Sequence, residues 1–302
     1  MKKYSFFVFT ILLFFACDKN EGLINDSNFN LQIGSGSFTF DQYQPFNNKP
    51  IEVFYHIPEN ANPSLPILIS LHGMNRNGEN HRNSLIDKSN QHRFILVVPE
   101  FSENYFSGGD GYNLGNIFVD GDNPSSETLN PNEEWTFSVL DPLFIYFKNL
   151  VINYSYNYNL IGFSAGGQLA HRSFIFNNSI YCQQTISMSS GWYTTIDENQ
   201  NFPYGLNESP FNSNNIASLF SRNLTILIGQ NDNDPNAPNL RRNSIVDLQG
   251  NNRFDRAEYF YTSAENLANE KNYIFNWQKF VVPNAAHDLS PIANFAVDLL
   301  YQ

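Results

Sequence analysis

The segment Gly162-Phe163-Ser164-Ala165-Gly166 constrains this chain more than any other, because it joins two different periodicities within a single bend. Ahead of it, Tyr158-Asn159-Leu160-Ile161 is a compact run suited to a buried strand. Behind it, Gly167-Gln168-Leu169-Ala170-His171-Arg172 reads as helix. A strand that passes directly into a helix must turn sharply at the serine, and side chains at 162 and 166 would collide across the turn. The bend exposes the Ser164 hydroxyl, and the helix that starts there directs backbone N–H groups and a positive dipole end toward it.

The remaining pattern supplies a sheet in which such a bend can sit. Runs 38–43 and 51–57 alternate as an antiparallel lead-in. Runs 66–71, 94–99, 158–163, 185–188, 224–228 and 280–282 are short and apolar, as expected of strands covered on both faces. Helical segments are expected over 79–90, 135–151, 165–176, 254–271 and 291–300. This alternation predicts an α/β fold, a mostly parallel, doubly wound sheet with helices on both faces. Reactive groups then belong in loops beyond the C-terminal strand ends. The connections 102–134 and 189–221 are long and irregular, which marks them as functional or disordered.

A serine hydroxyl is a poor nucleophile unless a base assists it. Of the six histidines, His56 lies on a lead-in strand, His72 in an early loop, His81 and His92 around a surface helix, and His171 within the helix after the bend. His287 alone lies in a loop just after a late buried strand, so it is the expected base. The anion that orients it is expected in Gly229-Gln230-Asn231-Asp232-Asn233-Asp234-Pro235, with Asp232 preferred. Asp234 is the alternative, its other role being to shape the turn before Pro235. Asp288, adjacent to the histidine, would point elsewhere.

Acyl transfer builds charge on a carbonyl oxygen, and the backbone N–H groups of Ala165 and Met74 are the expected donors to it. Met74 follows Leu71-His72-Gly73 at the end of an earlier strand, and His72 is expected to support that loop by hydrogen bonds. Tyr112, Trp192 and Tyr193, in the two long connections, are expected to line an acyl or alcohol pocket. Asp120-Gly121-Asp122-Asn123 alternates oxygens as calcium loops do. It lacks the glycine and terminal glutamate of the EF-hand spacing, so it reads as a polar turn and no metal site is expected.

The 302 residues, 41% hydrophobic and 16% aromatic, suffice for one domain with a large core. A formal charge of -12 excludes nucleic acid as a partner, since phosphate binding needs clustered Lys and Arg. Lys2 and Lys3 precede an apolar run from Phe6 to Ala16 that ends at Cys17. That run is about half the roughly 20 residues needed to span a bilayer, which predicts an export signal over 1–16. Phe14-Phe15-Ala16-Cys17 resembles the bacterial lipoprotein box, in which the cysteine is diacylated and becomes N-terminal. The reading is a signal peptide, a polar tether over 17–35 and a catalytic domain over 36–302, with membrane contact through a lipid at Cys17 in the cell envelope. Cys182 then has no disulfide partner and reads as a small buried hydrophobe.

Taken together, Leu71-His72-Gly73, Gly162-Phe163-Ser164-Ala165-Gly166-Gly167, Gly229 to Asp232 and His287 resemble the α/β-hydrolase superfamily over roughly residues 50–302. They are similar to secreted esterases of the polyhydroxybutyrate depolymerase and feruloyl esterase type. The resemblance implies acyl-serine chemistry without a metal or organic cofactor, on small or polymer-linked esters. Two other readings stand beside it: a serine peptidase or amidase on the same residues, and a non-catalytic surface-binding lipoprotein.

Overall fold

The computed structural model describes residues 31–302; the candidate signal peptide, Cys17 and the tether up to residue 30 lie outside the described residues. In chain order the elements are β1 (Gly34–Phe40), β2 (Ile51–Ile57), β3 (Ile67–Leu71), α1 (Gly78–Asn83), α2 (Ile86–His92), β4 (Ile95–Glu100), α3 (Gly108–Gly111), α4 (Leu140–Leu150), β5 (Tyr158–Phe163), α5 (Ala165–Phe176), β6 (Cys182–Met188), α6 (Ile216–Phe220), β7 (Leu224–Gly229), α7 (Arg253–Lys271), β8 (Gln278–Val282) and α8 (Leu289–Tyr301). Eight strands form one sheet in the order β1-β2-β4-β3-β5-β6-β7-β8. The pairs β1–β2 and β2–β4 are antiparallel, and every pair from β4 onward is parallel.

Alternation along each strand divides the core in two. Ile69, Leu160 and Ile226 face the side covered by α4, α5, α6 and α7, while Leu68, Ile161 and Leu227 face the side covered by α2 and α8. Burial on both faces explains why the central strands are continuous apolar runs. Among the described residues no helix is long and apolar enough to cross a membrane.

Four expectations shift. The first strand runs over Gly34–Phe40, not 38–43, because Gly34 already pairs with Ile57 and a 3-10 turn with Pro45 in its first positions, Gln44–Phe46, ends the pairing. The expected tether is therefore too long at its far end: Leu31 and Ile33 pack against the core. The helix expected over 79–90 is two short helices, parted where Leu85 turns inward and is fully buried. The helix expected over 135–151 begins as a 3-10 turn, Thr136–Val139, before α4, whose Pro142 is tolerated in its first turn.

Phe147 is completely buried, and its ring packs 6.0 Å from Phe38 and 6.3 Å from Tyr55. Phe147→Ala should cost about 3–5 kcal/mol of stability in urea unfolding, whereas Tyr156→Ala, at an exposed position, should stay within about 0.5 kcal/mol.

Candidate active site

Ser164 joins β5 to α5 with φ 56° and ψ −111°, a conformation that costs a non-glycine residue about 1–3 kcal/mol. The surrounding glycines show what holds it there. A Cβ on Gly162 would lie 2.2 Å from Gly166 O, and one on Gly166 would lie 2.3 Å from Leu71 O and 2.5 Å from His72 O. The bend is thus wedged against the end of β3, and Ser164 N donates to Met188 O at the end of β6 (2.9 Å). Three strand ends meet at one serine.

Two more loops close on it. Asp232 N donates to Gly229 O in a turn after β7, and Asn231 N donates to Ala285 O (2.7 Å) in the loop after β8. A Cβ on Gly229 would sit 2.5 Å from Ala285 O, so this glycine lets the two loops touch. Across that contact, His287 Nδ1 lies 2.7 Å from Asp232 Oδ2, and His287 Nε2 lies 3.0 Å from Ser164 Oγ. Phe163 packs beneath the imidazole with ring centroids 4.9 Å apart. Ser164, His287 and Asp232 are thereby brought into one hydrogen-bonded line. Asp234 is not part of it; its exposed carboxylate accepts from Asn236 N (2.8 Å) and shapes the turn. Asp288 stands at the N-terminus of α8 without capping it.

The loop after β3 borders the serine, since a Cβ built on Gly73 would lie 3.9 Å from Ser164 Cβ. His72 holds this loop as a neutral ring. Its Nδ1–H donates to Gly73 O (2.9 Å) and its Nε2 accepts from Phe101 N (3.0 Å), while burial pushes its pKa down to about 4. Tyr112 Oη donates to His72 O (2.7 Å), and Arg76 stacks over Tyr112 while donating to Phe101 O and Phe106 O. Ala165 N opens α5 and has no intrahelical acceptor. Among the described residues neither Ala165 N nor Met74 N donates a hydrogen bond, so both remain free for a ligand oxygen.

The expected pocket aromatics do not serve that purpose. Tyr112 and Tyr193 are completely buried: the first braces His72, and the second stacks on Phe260 at 4.5 Å. Trp192 is only 4% exposed, clamped between Arg172 (4.3 Å) and Arg241 (5.0 Å). Their rings support the long loops and do not form pocket walls. Exposed apolar groups in the connections that leave β3, β4 and β7 are instead Met74, Tyr105, Val119, Leu129, Ile245 and Leu248. Asp120 accepts from the N–H groups of Asp122 and Asn123, the expected polar turn. Among the described residues no group of three or more His, Cys, Asp and Glu side chains is placed to hold a metal. Burial pushes the Cys182 thiol up to about 11.

One residue was missed by sequence reasoning. Arg253, the first residue of α7, is buried with Nη1 3.5 Å from Asp232 Oδ1, the oxygen not used by His287, and its Nη2 donates to Pro238 O. Phe254 N donates to Asp232 O (3.0 Å), so the start of α7 grips the aspartate by backbone and side chain. Asn252 caps that helix through Asp255 N, a signal readable in sequence that places Arg253 but not its partner.

Burial lowers the pKa of His72 to about 4 and of His81 to about 3 from an ordinary 6.5. Below pH 6.5 the unfolded chain therefore binds protons that the folded chain refuses. Stability should fall as pH drops from 6.5 toward 4, by up to about 1.4 kcal/mol per pH unit for each ring. Urea midpoints between pH 7 and 4.5 test this. A flat profile would contradict it, and His81→Gln should lessen the slope.

No protein-family model matches the sequence, and no curated protein matches it. Solved structures do. The chain is similar to poly(aspartic acid) hydrolase-1 from Sphingomonas sp. KT-1, with 30% identity and a TM-score of 0.84, covering 90% of this chain and 100% of that one. It is also similar to LpqC, a poly(3-hydroxybutyrate) depolymerase from Bordetella parapertussis, with 26% identity and a TM-score of 0.82 over 89% of this chain and 90% of that one. A fluorophosphonate-binding serine hydrolase of Staphylococcus aureus, FphF, shares the fold at 10% identity, with a TM-score of 0.57 over 89% of this chain and 98% of that one.

Proposed function

The chain belongs to the α/β-hydrolase family, among its serine hydrolases and esterases, and from that premise we propose that it cleaves an ester bond with Ser164 as nucleophile. The observation that carries the reading is the unbroken line from Asp232 through His287 to Ser164 Oγ. Ser164 Oγ attacks the acyl carbon as its proton passes to His287 Nε2. The imidazolium formed keeps its Nδ1–H on Asp232 and then protonates the departing alcohol. Water repeats the sequence in reverse, giving its proton to His287 and its oxygen to the acyl group, which frees Ser164. The oxyanion of each tetrahedral intermediate is held by Ala165 N–H and Met74 N–H, groups worth roughly 3–4 kcal/mol each when preorganised.

Amide cleavage is the second reading, favoured by the similarity to a hydrolase of poly(aspartic acid). Ester cleavage is preferred over it for a polyanionic amide. The chain carries a formal charge of -12, and the accessible cations Arg241 and Arg242 are already paired with Asp122 and Asp247. The apolar side chains of Met74, Val119 and Leu248 suit an uncharged ester polymer or its oligomers. Export and diacylation at Cys17 complete the proposal, supported by Lys2, Lys3, the apolar run 6–16 and the cysteine that ends it.

A fluorophosphonate probe should label the wild-type protein and leave Ser164→Ala unlabelled, with ester turnover reduced at least about a thousandfold. Equal labelling of the two would remove Ser164 from its role. Nitrophenyl esters should be hydrolysed faster than aspartyl anilides; the opposite order would install the amide reading. Arg253→Met should lower kcat on the order of tenfold with KM little changed, because Asp232 loses the contact that fixes its free oxygen.

A further inference from the structure

The polarity of the sheet gives the domain two unlike ends. The C-terminal ends of β3, β5, β7 and β8 carry the site. The opposite end comprises the residues leading into β3, β5, β6 and β8 together with the start of β1, because Gly34 pairs with Ile57 and His56 with Leu96 near the start of β4. At this far end large side chains stand in solvent: Tyr156 is 89% exposed, Ile180 82%, Ile274 71% and Tyr154 64%. Ile152 joins them with φ 50°, a rare and strained conformation for a β-branched residue.

These residues share one end of the sheet, and hydrogen bonds tie most of them together. Tyr154 N donates to Pro63 O, and Asn153 Nδ2 and Ser155 Oγ both donate to Leu65 O, which ties 152–156 to the residues ahead of β3. Tyr158 N donates to Tyr181 O, which sets Ile180 beside that segment. Ile274 precedes β8, two strands further along the same edge. Large apolar and aromatic side chains exposed together at one end of a domain mark a contact surface.

The chain itself indicates what covers it. Gly34 opens β1 at this same end, so the residues from Cys17 reach the fold on the side away from Ser164. Thirteen residues lie between Cys17 and Leu31; any free chain of that length has an end-to-end distance of roughly 20 Å, whereas passing the whole domain requires about 50 Å. A lipid on Cys17 would therefore bring this end to the bilayer first. We propose that the end of the domain bearing Ile152, Tyr154, Tyr156, Ile180 and Ile274 docks on the membrane that holds diacylated Cys17, with Ser164 directed away from it. Tyrosines suit the headgroup level and isoleucines the acyl boundary beneath it. Tethering makes a weak patch sufficient, because the lipid keeps the face at high local concentration.

The proposal rests on the anchoring reading, and the test separates the two. Radiolabelled palmitate incorporated in a lipoprotein-processing bacterial host should mark the wild-type chain and not Cys17→Ala. No label on either would overturn the anchor and the proposal with it. The lipidated full chain carrying Tyr156→Trp is then reconstituted in phosphatidylethanolamine–phosphatidylglycerol vesicles containing brominated acyl chains. Trp135, Trp192 and Trp277 are buried and give a protected background. About half of the added emission should be lost, as expected for insertion of about 5–10 Å. Leu248→Trp, at the catalytic end, should keep its emission. Labelled protein with unquenched Tyr156→Trp, quenching at Leu248→Trp, or cross-links at 156 that join two copies would each overturn the docking face alone. Unchanged ester turnover by Tyr156→Trp shows that the variant is folded.

Discussion

The site depends on how closely the backbone at Ser164 approaches β3. Gly166 has space for a hydrogen and nothing larger, with Leu71 O and His72 O where a methyl group would begin. That contact does two things at once. It holds a serine in a backbone conformation it would otherwise leave, and it fixes the loop that follows β3 beside the hydroxyl. The serine hydroxyl and the neighbouring N–H donors are therefore positioned by one steric constraint. A second close approach, Gly229 against Ala285, does the same for aspartate and histidine. Glycine at these points is required by backbone crowding; flexibility is not its purpose.

Around these contacts the polar groups are arranged so that few can change state. His72 is kept neutral by burial, with one nitrogen donating and the other accepting, so its loop does not titrate with the solvent near neutrality. Tyr112 and Arg76 brace the same loop from the long connection after β4. Asp232 divides its two oxygens between His287 and Arg253, which leaves the carboxylate one orientation. Preorganisation of this kind is what acyl transfer requires, since donors already aimed need no rearrangement as charge develops.

Much of this was legible in the sequence, for physical reasons that differ by element. Central strands announce themselves because burial on both faces forces unbroken apolar runs, so β3, β5 and β7 fall within a residue of where the pattern puts them. The bend at Ser164 was visible because its sterics act over four residues. Arg253 was not, because its partnership with Asp232 is formed by the return of α7 across the turn and leaves no local signature. The aromatics at 112, 192 and 193 misled for another reason. A tyrosine or tryptophan in a long loop serves a pocket or a core equally well, and Tyr112 is buried because its hydroxyl finds His72 O within the protein. At the N-terminal edge, asparagine-rich composition masked the apolar contacts of Leu31 and Ile33, which only the core could reveal.

The separation of the two ends of the sheet bears on what the enzyme can reach. A serine hydrolase that acted on the lipids of its own membrane would need its reactive end at the bilayer. Here the first strand begins at the other end, and the most exposed tyrosine and isoleucines stand there too. With the proposed lipid at Cys17, the hydroxyl of Ser164 faces outward over a span set by the domain's own length. Chains approaching from solvent then meet the site before they meet the membrane. A polymer or its soluble fragments, delivered from outside, fits that orientation; a bilayer lipid would have to leave the membrane to reach it.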